Sequence, residues 1–155
     1  MPTLYLSTFI LATPAIVFDL SRSIDLHQIS TQQTQERVIA GRMSGLIELE
    51  ESVTWRAKHF GFFQELTSKI TAFEKPNSFT DEIVSGAFKS FEHIHKFELA
   101  GKGTNMIDIF SYVSPLGILG KVADYLFLKK YMETLLMKRN LTIKQYAENA
   151  GQNLF

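Results

Sequence analysis

The stretch that decides the fold runs Phe91-Glu92-His93-Ile94-His95-Lys96-Phe97, turns through Ala100-Gly101-Lys102-Gly103, and returns as Met106-Ile107-Asp108-Ile109-Phe110-Ser111-Tyr112. Alternate positions share a face along both arms, the period of a strand with one side turned inward. So short a connection makes the arms antiparallel. With the turn centred near Gly101, His95 falls opposite Asp108, His93 opposite Phe110, and Phe97 opposite Met106. The hairpin ends by Pro115, and an amphipathic helical pattern follows to about Asn149. A strongly curved antiparallel sheet that finishes in one long helix wraps that helix and leaves a hollow between them.

The same period extends upstream. Val53, Trp55, Ala57 and His59 share one face of a strand that turns at Gly61. Gln64, Leu66, Ser68, Ile70 and Ala72 share a face of the next strand. Counting back across the turn sets Trp55 against Leu66, so the inward faces agree in register. A turn at Lys75-Pro76-Asn77-Ser78 precedes a strand from Phe79 to about Gly86. Residues 3–12 read as a first strand closed by Pro14, which suits the first turn of a helix. Two short helices follow, Ala15–Arg22 and Ile24–Ile29; the second carries His27, at a distance from the hairpin histidines. Ser30–Glu36 reads as a loop and Arg37–Ala40 as a weak further strand. In the final helix Leu119, Val122, Leu126, Met132, Leu135 and Leu136 form an apolar stripe. Lys129, Lys130, Lys138, Arg139 and Lys144 are assigned to its solvated faces, with weak contact to an anionic membrane as the alternative.

Composition narrows the function classes. The 155 residues suit one domain, set at 1–150 with 151–155 as a frayed tail. Lys+Arg and Asp+Glu are 16 each, so the electrostatic basis of nucleic-acid binding is missing. No Cys occurs, which removes disulfides, a thiolate nucleophile and Cys-based metal sites. Thirteen Phe must find burial. The N-terminal segment lacks a basic region and alternates like a strand, which speaks against an export signal. No apolar run reaches the length of a membrane span, so a cytoplasmic location is the default expectation.

The string Val53-Thr-Trp-Arg-Ala-Lys-His-Phe-Gly61, then Phe79-x-Asp81, then Gly86-Ala-Phe-Lys-Ser-Phe-Glu-His-Ile-His-Lys-Phe-Glu98, resembles a known pattern. So does Gly103-Thr-x-Met106-x-Asp108, followed by Tyr112-x-x-Pro115-Leu-Gly117 and a long helix. Together, over residues 3–148, these resemble the START-like (SRPBCC, birch-pollen-allergen-like) ligand-binding superfamily, nearest to a bacterial branch labelled cyclase/dehydrase-like or cell-division-inhibitor. The resemblance implies an α+β helix-grip fold: a curved antiparallel sheet of six or seven strands around a long C-terminal helix, with two short helices after strand one. It implies lipid carriers, quinone binders, polyketide cyclases and hormone receptors as the range of activities, and leaves the activity itself open.

His93 and His95, two apart on a strand, point to one side about 7 Å apart. A His held by a carboxylate is how a general base is fixed in one tautomer, which makes His95 with Asp108 the candidate acid–base pair. The bland alternative is a buried polar pair that satisfies itself. A metal is disfavoured, since two His cluster and no close second carboxylate can be placed. Gly101-Lys102-Gly103-Thr104 lacks phosphate-loop spacing and is a hairpin turn. The candidate ligand-binding set is Trp55, His59, Gln64, Leu66, Phe91, His93, His95, Phe97, Met106, Asp108, Phe110 and Tyr112. The leading expectation is a carrier or sensor enclosing an apolar or amphipathic small molecule, without a cofactor. A cyclase- or dehydratase-type enzyme is the second, and a protein-interaction module with a filled core the third. Oligomeric state is not legible.

Overall fold

A computed structural model describes residues 2–114, 122–123 and 127–152. Strand β1 (Thr3–Ile10) leads to helices α1 (Pro14–Ser21) and α2 (Ile24–Ser30). Each helix starts on a hydroxyl cap: Thr13 accepts from the Ile16 amide and Ser23 from the Leu26 amide, satisfying donors that the first turn leaves open. A 3-10 turn at Gln32–Thr34 occupies the stretch expected to be a loop, and the weak strand is real, as β2 (Arg37–Gly41). Strands β3 (Ser52–His59), β4 (Phe62–Glu74), β5 (Ser78–Gly86), β6 (Ser90–Ala100) and β7 (Gly103–Val113) form a meander, and helix α3 spans Lys129–Gln152.

The seven strands make one antiparallel sheet in the order β1-β7-β6-β5-β4-β3-β2, which with these helices is the helix-grip arrangement. The hairpin register is the one read from the sequence, with His95 opposite Asp108, His93 opposite Phe110 and Phe97 opposite Met106. Trp55 likewise pairs with Leu66. Register shifts at Val38/Ala40, Thr67/Ser68 and Ile70/Ala72 insert extra residues, which bend a strand and increase its twist. At the other edge β1 crosses the start of β7 so closely that a side chain at Gly103 would meet Ile10 O at 2.5 Å. Only glycine fits there.

Two apolar clusters fill the concave side. In the larger, Phe18 of α1 meets Phe73, Phe79 and Phe97 edge-on at 5.2–5.5 Å, a favoured aromatic geometry. The smaller gathers Leu4, Phe91, Phe110, Tyr112 and Leu136. Leu136, Ile143 and Ala147 face inward from α3, at i, i+7 and i+11, one helical stripe.

Two helix expectations need correction. Beyond Ser114, residues 122–123 are helical, Phe127–Leu128 form a π-helical turn, and α3 continues through Gln152. Val122, expected in the apolar stripe, is half exposed. Arg139, assigned to the solvated face, is buried: it sits three residues after Leu136 and four before Ile143, within the inward stripe. Pro115, Gly117, Leu119, Leu126 and residues 153–155 lie outside the described residues. No helix among the described residues is long and apolar enough to cross a membrane.

Burial of one large apolar side chain is worth about 1.5–3 kcal/mol. A chain ending at Ser114 loses several of these together with buried Arg139 and Asn140, a sum comparable with the whole stability of a domain, about 5–15 kcal/mol. Such a fragment should show no cooperative thermal transition by circular dichroism. A soluble fragment that melts cooperatively would show that the sheet does not need α3.

Candidate functional site

Strand alternation turns Phe91, His93, His95 and Phe97 inward from β6, and Met106, Asp108, Phe110 and Tyr112 inward from β7; all eight are buried. Both strands are therefore apolar at the ends and polar in the middle, and the two apolar clusters are parted by a buried polar band. Asp108 is its centre, with no exposed surface. Its Oδ1 accepts from His93 Nε2 at 2.9 Å and lies 3.3 Å from His95 Nδ1 and 3.5 Å from Arg139 Nη1. Its Oδ2 accepts from Asn140 Nδ2 at 2.7 Å. Arg139 also donates to Asn140 Oδ1 and to the Ser21 carbonyl at the end of α1. Strand, terminal helix and first helix are thus tied through one carboxylate.

His95 and Asp108 meet as the register requires, yet each makes its shortest bond elsewhere. His95 Nε2 donates to Asp81 Oδ1 at 2.8 Å, while Asp108 accepts from Asn140 at 2.7 Å and from His93 at 2.9 Å. The expectation that no second carboxylate approaches the histidines is corrected here. Asp81 of β5 pairs with His93, and its Oδ1 stands 4.0 Å from His93 Nδ1. Among the described residues, Asp81, His93 and His95 are a group whose chemistry suits a metal ion, with one ligand atom of each within 4.8 Å of the others. The alternation Phe79-x-Asp81 held the signal: carried across to β6, it puts Asp81 on the inward face beside His93. Arg139 and Asn140 offered no local signal, since their partner lies 31 and 32 positions away.

Burial favours the protonated carboxyl of Asp108, but hydrogen bonds from His93 and His95 and the Arg139 charge outweigh it and hold its pKa well below the usual range. Asp81 is depressed for the same balance of reasons, with His95 as its main donor. His93 is pushed down by burial and by His95 beside it, against the pull of Asp108. The two rings lie 3.7 Å apart, and Phe79 stacks on His95 at 4.2 Å.

Between the β3–β4 end of the sheet and the start of α3 lies a cavity of about 470 Å³. Trp55, His59, Gln64 and Leu66, all expected at the site, are on its wall. Phe88, Phe127, Met132 and Leu135 supply further apolar surface. Phe60 and Phe127, rings 5.8 Å apart and half exposed, stand at the rim. Two polar pairs project into it: His27 Nε2 with Glu36 Oε1 at 3.0 Å, and His59 Nδ1 with Tyr131 OH at 2.7 Å. Burial works against the Glu36 carboxylate, but His27, His59 and Thr31 together hold its pKa below the usual range. Burial lowers His59 and, with Glu36, raises Tyr131. His27 is thus no distant group: its ring packs on Trp55 at 4.2 Å.

A smaller chamber of about 120 Å³ adjoins the cavity, with His27, Trp55, Leu136 and Arg139 common to both walls. Asp81, His93, His95 and Ser68 line it. Phe91, Phe97, Met106, Phe110 and Tyr112 line neither space; they are packed core. Asp108 stands behind the histidines.

Both depressed carboxylates and depressed His93 bind fewer protons in the folded chain than in the unfolded one, so acid favours unfolding. In chelator-treated protein, stability should fall as the pH drops below about 6.5, where unfolded imidazole protonates, and again below about 4. Asp108→Asn should cost about 3–5 kcal/mol at pH 7, because Arg139 loses its charged acceptor, and should blunt the second decline. Urea melts at pH 7, 5 and 3.5 measure both; a wild-type midpoint that rises on acidification contradicts this assignment.

No protein-family model and no curated protein matches the chain. Solved structures do. The protein TTHA0849 from Thermus thermophilus superposes with a TM-score of 0.72 at 19% identity, over 92% of this chain and 97% of that one. The major latex-like protein 151 of Panax ginseng gives 0.69 at 17%, over 94% and 97%. The di-domain ARO/CYC StfQ from the steffimycin biosynthetic pathway gives 0.77 at 11%, over 97% of this chain and 51% of that one. At these identities what is shared is the fold, and the resemblance read from the sequence holds at that level: a helix-grip chain.

Proposed function

We propose that this protein binds an apolar or amphipathic small molecule (lipid, quinone or polyketide-like) in the cavity between sheet and terminal helix, as a carrier or sensor. The observation that carries the reading is the cavity itself. Its 470 Å³ falls within the usual range for ligand sites, about 300–1,000 Å³. Aromatic and aliphatic side chains make most of its wall, and the His27–Glu36 and His59–Tyr131 pairs give a polar end group something to orient against. An interaction module with a filled core is hard to reconcile with so much unfilled space. StfQ, named for an ARO/CYC activity, and the ginseng protein share the fold with this chain, in keeping with a hollow put to different chemical uses.

The small chamber supports a second reading, proton transfer of the cyclase or dehydratase type. There His95, hydrogen-bonded to Asp81 with Asp108 behind it, is the acid–base group. Turnover lost in His95→Ala, with binding retained, separates that reading from the carrier.

Trp55 is the single Trp, buried and on the cavity wall, so it reports occupancy directly. Palmitate and 1-anilinonaphthalene-8-sulfonate should each change its emission saturably at one site per chain. Met132→Phe, which fills part of the cavity and leaves Trp55 the single Trp, should weaken that binding more than about tenfold, or 1.4 kcal/mol. Emission insensitive to both probes, or affinity unaffected by Met132→Phe, removes the cavity as the site.

A further inference from the structure

We propose that Asp81, His93 and His95 form a binding site for one divalent transition-metal ion of Zn²⁺-like preference, open on one side to the small chamber. Two imidazoles and a carboxylate are the donor set that such ions share. The nitrogens nearest Asp81 Oδ1 are His95 Nε2 at 2.8 Å and His93 Nδ1 at 4.0 Å. Metal–ligand bonds of about 2.1 Å leave ligand atoms about 3–4 Å apart, so the three groups close on one centre with shifts under about 1 Å.

A second, independent observation distinguishes this cluster from a chance meeting of polar groups. The other nitrogen of each ring, His93 Nε2 and His95 Nδ1, faces the same oxygen of Asp108, at 2.9 and 3.3 Å. Metal-bound imidazoles are oriented by a carboxylate on their far side in just this way. Asp108 is itself fixed by Arg139 and Asn140, so the outer shell is rigid before any ion arrives. The ion takes the place of the proton on His95 Nε2, and the neutral ring then carries that proton on Nδ1, donating it to Asp108 as His93 already does through Nε2.

Charge and space agree. Two carboxylates and one guanidinium leave the buried set one negative charge when both imidazoles are neutral. A divalent cation is attracted by that charge and leaves the set one positive charge, which an anionic oxygen donor from the chamber side would neutralise. The chamber of about 120 Å³ on the third side leaves room for water or for an oxygen donor of a small molecule to complete the coordination. The three ligands line the small chamber and not the larger cavity, so either site can be lost while the other is still measured.

The test uses the full chain, stripped with EDTA, dialysed and titrated with Co²⁺ and then Zn²⁺. One equivalent of Co²⁺ should produce visible d–d absorption that Zn²⁺ abolishes. Asp81→Asn should remove the signal, and Asp108→Asn should weaken affinity about 10–100-fold. Glu92→Gln, exposed on the outward face of β6, should bind as wild type. In the unmodified protein Zn²⁺ should shift the imidazole resonances of His93 and His95 and leave those of His27 and His59 in place, a readout that depends on no variant. Absence of saturable binding, binding indifferent to Asp81→Asn, or shifts at His27 and His59 instead would each overturn the site.

Discussion

Everything in this molecule is arranged around the cost of burying one carboxylate. Asp108 has no exposed surface, and an uncompensated charge in that position would cost more than the domain's stability allows. Four side chains meet the need: His93 and His95 from the neighbouring strand, Arg139 and Asn140 from α3. Because Arg139 also holds the Ser21 carbonyl, the same set fixes where the terminal helix and α1 lie against the sheet. Hydrophobic packing supplies most of the energy, but it is indifferent to small slides of a helix. A hydrogen-bonded band is not, and it sets the register.

That band also divides the interior. Apolar clusters fill the space on either side of it, one around Phe18 and one around Phe110. The sheet continues past them to β3 and β4, and there the space against α3 is left open as the cavity beside Trp55 and Leu66. The cavity and the polar chamber touch through Trp55, His27, Leu136 and Arg139, so an apolar hollow and a set of titratable groups share one wall.

Strand pairing was legible residue by residue, because a period of two fixes faces and a short turn fixes partners. The opposition of His95 to Asp108 and of Trp55 to Leu66 needed nothing more. Side-chain partnership was less legible, since opposed residues need not make each other's shortest bond. His95 reaches sideways to Asp81 and Asp108 accepts from His93. Arg139 misled for a physical reason: a charged residue on a helix is ordinarily solvated, and only a carboxylate 31 residues earlier makes its burial tolerable. The aromatic rows of β6 and β7 face inward yet stand in packed core; inwardness follows from alternation, but emptiness depends on how the helix meets the sheet. His27 and Glu36 could not be placed from the sequence, as the turn between them determines where they face.

On the proposed function, the cavity beside Trp55, and no other part of the interior, receives an apolar molecule. Methionine methyl NMR tests it most directly. Met132 lines the cavity, Met106 is core at 1% exposure, and Met43 and Met137 are on the surface. Titrating a ¹³C-methyl-methionine sample with palmitate should shift Met132 saturably and give nuclear Overhauser contacts from its methyl to the acyl chain, while Met106, Met43 and Met137 stay in place. Shifts confined to Met43 or Met137, with Met132 unmoved at saturation, would put the ligand on the surface and contradict the account.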